Sequence, residues 1–109
     1  MKSLIVAIMV GVFIFLVSTS MSADDSASVY KAKCAACHAA DGSSNVAMGK
    51  ALGAKDLRSE EVQKHSDAEL HDSIANGMGT KMPAYKDKLT DDQIKGLVGY
   101  IRDMASKKK

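Results

Sequence analysis

The residues Cys34-Ala35-Ala36-Cys37-His38 constrain this chain more than any other stretch of it. Their spacing is that of the c-type haem attachment motif. Two thiols one helical turn apart reach the two vinyl groups on one edge of a porphyrin, and the next residue places an imidazole under the iron. Covalent attachment then keeps His38 beside its metal at very high local concentration. Other uses of these residues are weaker. Cys34 and Cys37 as a plain disulfide is the simplest of them. A thioredoxin-like redox pair needs alternating strands and helices, and nothing here alternates with period two over a useful length. A zinc site from Cys34, Cys37, His65 and His71 has a gap too long for a compact finger and leaves His38 unexplained.

The N-terminus adds an independent constraint. Lys2 precedes an apolar run from Leu4 to Val17, and the small polar residues Ser18 to Ala23 follow it. That order is a secretory signal over residues 1–22, with cleavage after Ser22 and a cut after Ala23 as the alternative. A membrane span needs about 20 apolar residues, more than this run offers, so no stable membrane insertion is expected after cleavage, with an uncleaved anchor as the alternative. Haem attachment of this kind takes place outside the cytoplasm. Motif and signal therefore name one compartment, the periplasm, with a thylakoid lumen or the extracellular space as variants.

Cleavage also removes Phe13 and Phe15, the only Phe residues, and there is no Trp. The domain at 23–109 keeps Tyr30, Tyr85 and Tyr100 as its aromatics. A domain this small buries a modest fraction of its surface and commonly needs a metal, a disulfide or a partner, so haem is expected to supply the missing apolar mass. The formal charge of +2 gives no field for gripping nucleic acid. Lys107, Lys108 and Lys109 form the one basic block and read as a solvated tail that complements a helix C-terminus.

The segments read as helix and loop. A short helix is expected from about Ser26 to Cys34. A second starts at Ser66, whose capping box is completed by Glu69; it carries Leu70 and Ile74 and stops at Asn76 and Gly77. A third starts at Thr90 with Gln93, and sets Ile94, Leu97, Val98, Ile101, Met104 and Ala105 at helical spacing. Between them, residues 39–65 hold probable turns at Gly42, Gly49 and Gly53, with a short helix near Ser59 to Lys64. Residues 77–89 form a glycine-rich loop with the only proline, Pro83.

The iron's second axial position has several candidates by chemistry alone: Met48, Met78, Met82, Met104, His65, His71 and Lys81. Met104 lies on the apolar stripe of the last helix, where packing is its ordinary role, and the two histidines read as surface residues. Met82 sits in a loop that no helix claims, and Pro83 stiffens the chain behind it. Met48 and Met78, also in loops, stay open.

The attachment motif near the start of the mature chain, the segment Met82-Pro83-Ala84-Tyr85, and a final amphipathic helix bearing Tyr100 together resemble a small bacterial class I c-type cytochrome. The resemblance implies an all-α, cytochrome c-like single domain, about three main helices wrapped around one covalent haem c. It implies that Met82 is the second axial ligand beside His38, and that Tyr30 meets Tyr100 where the first and last helices cross. Leu57, Leu70, Ile74, Leu97 and Ile101 are expected to wall the pocket. Arg58, Lys55 and Tyr85 are the candidates for the propionates. The sequence departs from many relatives in lacking a proline after the motif, so a backbone carbonyl between about Gly49 and Leu57 must accept the His38 hydrogen bond.

The function implied is one-electron transfer between Fe(II) and Fe(III), as a monomer, between redox partner proteins whose identity the sequence does not name. No paired carboxylates, Ser/His/Asp set or phosphate loop suggests an enzyme. The alternatives are a haem enzyme or a gas or peroxide sensor with a labile sixth ligand, and a cytochrome subunit docked on a larger redox complex.

Overall fold

The computed structural model describes residues 23–108, so the secretory signal expected at 1–22 lies outside the described residues. The chain runs through α1 (Ala23–Lys33), α2 (Ala35–His38), α3 (Ala47–Leu52), α4 (Glu60–Gln63), α5 (Asp67–Asn76) and α6 (Asp91–Lys107). Among the described residues the only extended pairing is one isolated antiparallel bridge between Met78 and Met82. None of the described helices is long and apolar enough to cross a membrane.

The caps explain where the two long C-terminal helices begin. Ser66 accepts from the Glu69 amide while the Glu69 carboxylate accepts from the Ser66 amide, and Thr90 and Gln93 do the same for α6. Each box satisfies amide donors that the helix itself leaves unpaired. Ser59 caps α4 by accepting from the Val62 amide, as the expected short helix requires.

α1 crosses α6, and α6 also packs on α5. The Tyr30 and Tyr100 rings meet at that crossing, with centroids 5.1 Å apart and planes tilted by 47°. Tyr30 is fully buried, and its hydroxyl donates to the Ala39 carbonyl at 2.6 Å, tying α1 to the turn after α2. The stripe Ile94, Leu97, Val98, Ile101 and Met104 is buried along α6. Arg102, on the flank of that stripe, donates to the Gln63 and His65 carbonyls at 3.0 and 2.6 Å and to Asp67.

Gly42 and Gly53 make the expected turns, with φ of +80° and +68°. Gly49 does not. It lies inside α3, a helix the sequence pattern hides because no side chain caps it and a glycine stands in its middle. That glycine is there for space: a Cβ would be driven into the Cys37 carbonyl oxygen and would stand 2.7 Å from that of Ser44.

Candidate haem site

Cys34 sits at the joint between α1 and α2. Its amide donates to the Tyr30 carbonyl at 2.8 Å, and its own carbonyl accepts from the amides of Cys37 at 3.2 Å and His38 at 2.9 Å. The attachment motif is thus one tight turn closing α2. Ala39 reverses the chain at φ 66° and ψ 162°, backbone angles that a residue with a Cβ rarely adopts. Cys34 and Cys37 are both partly buried. Before a thioether forms, burial and then the neighbouring Cys37 push the Cys34 thiol up to about 11.

His38 is oriented from behind. Its Nδ1 lies 3.0 Å from the Lys55 carbonyl, which falls in the 49–57 window where a substitute for the missing proline is required. A carbonyl only accepts, so Nδ1 carries the proton and donates, and Nε2 keeps its lone pair for a metal. Burial lowers the imidazole pKa, against the opposite pull of the Lys55 carbonyl, and so favours the neutral ligand form. Ser44, which the sequence reading did not single out, donates its hydroxyl to the same carbonyl and lies 3.3 Å from Nδ1. Only the three-dimensional return of residues 44 and 55 to the same point reveals it.

His38 faces a cavity of about 560 Å³ joined to a second lobe of about 200 Å³. Cys34, His38, Lys55, Met78 and Met82 line both lobes. Leu57, Leu70, Ile74, Leu97 and Ile101 all wall the larger lobe, while Tyr85 and Cys37 line the smaller. Tyr85 is fixed by its hydroxyl donating to the Lys33 carbonyl at 3.0 Å and by its amide donating to the Ile74 carbonyl at 3.0 Å. The size lies in the range of a cofactor pocket, roughly 300–1,000 Å³. Thiols at one rim, a neutral imidazole, and thioethers on a separate loop suit a covalent haem.

The remaining candidates sort by position. Arg58 lines neither lobe; its guanidinium is spent on Asp56, at 3.2 Å from each oxygen, with Asp41 at 3.8 Å. Lys55 lines both lobes, with its ammonium 3.0 Å from Glu61. Met104 is buried in the core and Met48 is exposed outside both lobes. His65 is exposed at the rim of the larger lobe, hydrogen-bonded to Glu69 at 3.1 Å, and His71 stands outside, 2.6 Å from Asp91.

Helices closed by α1 across α6 around an apolar pocket, with a Cys-x-x-Cys-His turn at its edge, define a mono-haem c-type cytochrome. Comparison with known proteins agrees. The family profile described as cytochrome c oxidase, cbb3-type, subunit III matches residues 22–101. Cytochrome c6 of Leptolyngbya boryana is 38% identical over 72% of this chain and 88% of its own length, and cytochrome c6 of Thermostichus vulcanus 32% over 93% and 88%. The cbb3-type cytochrome c oxidase subunit CcoP of Azospirillum brasilense is 33% identical over 80% of this chain, which spans 30% of that protein. The solved KustC0563 c-type cytochrome superposes with a TM-score of 0.67 at 32% identity, over 72% of this chain and 95% of that one. The chain belongs to this cytochrome c family, and with it to the small class I c-type cytochromes. It holds one covalent haem c and carries single electrons.

Proposed function

We propose that the chain is a shuttle and not an enzyme, with Cys34 and Cys37 as the thioether anchors and His38 and Met82 as the axial ligands. The observation that carries this is the placement of His38 and Met82: they come from elements far apart in sequence and line the same two lobes. The haem, when bound, supplies the Fe(II)/Fe(III) couple. The chain supplies the rest: the Lys55 carbonyl holds the His38 tautomer, Met82 closes the other axial position against exogenous ligands, and the leucine and isoleucine walls exclude water. A Met/His ligand pair raises the reduction potential, which suits a carrier. The working compartment is the periplasm, after removal of residues 1–22, and the partners are donor and acceptor redox proteins met in passing by a monomer.

The first test is the visible spectrum of the ferric and ferrous protein with and without carbon monoxide. A low-spin spectrum with the weak far-red methionine-to-ferric-iron band, unchanged by carbon monoxide, is expected. A high-spin spectrum or rapid carbon monoxide binding refutes the carrier and points to peroxide or gas chemistry. The relation to an oxidase subunit favours one second reading, a cytochrome docked permanently on a larger complex. Size-exclusion of the native fraction separates the two, since a shuttle elutes as a monomer.

A further inference from the structure

The loop that carries Met82 carries a second methionine against the same cavity. Met78 and Met82 form the isolated antiparallel bridge, with the Met78 amide donating to the Met82 carbonyl at 3.0 Å. Residues directly opposite each other in an antiparallel pair project their side chains to one face, with Cβ atoms about 5 Å apart. Both residues line both lobes of the cavity. The bridge is held by a glycine whose side chain cannot be added: Gly77 has φ +76°, and a Cβ there would lie 2.6 Å from the Met82 carbonyl oxygen and 2.9 Å from the Ala84 amide. Gly79, at φ +66°, makes the reversal at the tip.

The two thioethers differ in what holds them. Met82 packs against the hydrophobic core, whereas Met78 is 56% exposed. An exposed thioether with three rotatable side-chain bonds costs little to redirect. We infer that Met78 is a reserve ligand for the same axial position, taking the iron when Met82 is removed. This rests on the covalent haem and the His38/Met82 assignment proposed above.

The test uses the haem-loaded protein and its spectrum. Met82→Ala and Met82→Leu are expected to keep the far-red band and resist carbon monoxide, and Met78→Ala to leave the wild-type spectrum unchanged. Met78→Ala/Met82→Ala is expected to lose the band, turn high-spin and bind carbon monoxide at once. Both single Met82 variants behaving like the double variant overturns the inference and leaves the resident assignment intact. A low-spin Met82→Ala without the band means that a nitrogen donor such as Lys81, which lines the smaller lobe, has taken the position, and also overturns it. Loss of the band in Met78→Ala alone makes Met78 the resident ligand and overturns both readings. A wild-type protein without the band refutes the methionine assignment itself.

Discussion

The same substitution at two helical glycines should move stability in opposite directions. Gly99 lies exposed on α6, and a Cβ there meets nothing within 4 Å. Alanine at such a position gains about 1 kcal/mol of helix propensity. Gly49 in α3 has the same propensity to gain, but its Cβ would be driven into the Cys37 carbonyl oxygen and stand 2.7 Å from that of Ser44. Both obstacles are backbone, so α3 must back away from α2. Overpacking of this kind costs about 1–3 kcal/mol, and two backbone carbonyls in the way put this site at the top of that range, so that about 2 kcal/mol of net loss remains after the propensity gain of about 1 kcal/mol. For a domain this size about 1 kcal/mol moves Tm by roughly 4–8 °C, so Gly99→Ala should melt about 5 °C above wild type and Gly49→Ala about 10 °C below. Thermal melts of the two haem-loaded variants, followed by far-UV circular dichroism, read this directly. The far-red band should also weaken in Gly49→Ala, because Gly49 accepts from Ala54, and the next residue supplies the carbonyl behind His38. Equal stabilisation by both substitutions would mean that α3 does not press on the attachment turn, and would refute this account of how His38 is held.

Three further outcomes follow from the structure. With both cysteines changed to Ala the chain should be largely unfolded, since it loses the group that covers the leucine and isoleucine walls of the cleft and a domain this small buries little apolar surface without it; native-like helical circular dichroism with a cooperative melt would contradict it. Arg102→Ala should cost about 1 kcal/mol in urea titrations, because it removes the donor from the part-buried carbonyl of Gln63, while water can replace it at the exposed carbonyl of His65. Asp56 is held below the ordinary carboxylate range by its hydrogen bond to the Arg58 side chain, so its contribution is present above the unfolded value, about 3.9, and is lost as pH falls through the lower folded value. Asp56→Asn should therefore lower Tm at pH 6 and converge with wild type near pH 2, and an equal difference at both would count against the pair.

The parts of the fold that were legible are those whose signal is local. Ser66 with Glu69 and Thr90 with Gln93 announce two helices within four residues each, and both boxes form. The α6 stripe is equally direct, because its period is written in consecutive side chains. Tyr30 and Tyr100 came from the family resemblance and do meet. What stayed hidden depends on distant segments converging. Gly49 reads as a turn unless the Cys37 carbonyl is known to lie against it. Arg58 is the exception, because the carboxylate that holds its guanidinium, Asp56, is only two positions away. Ser44 carries no signal of its own, and its role follows from sharing one carbonyl with His38.

The crossing of α1 with α6 also sets an order of events. The attachment turn stands near the start of the folded part of the chain, while Ile94, Leu97, Val98, Ile101 and Met104 come last in it. Until they arrive Tyr30 has no Tyr100 to pack on, and the pocket lacks the Leu97 and Ile101 wall. Short of its last helix the chain is therefore a cradle open on one side, and docking of that helix supplies the missing wall.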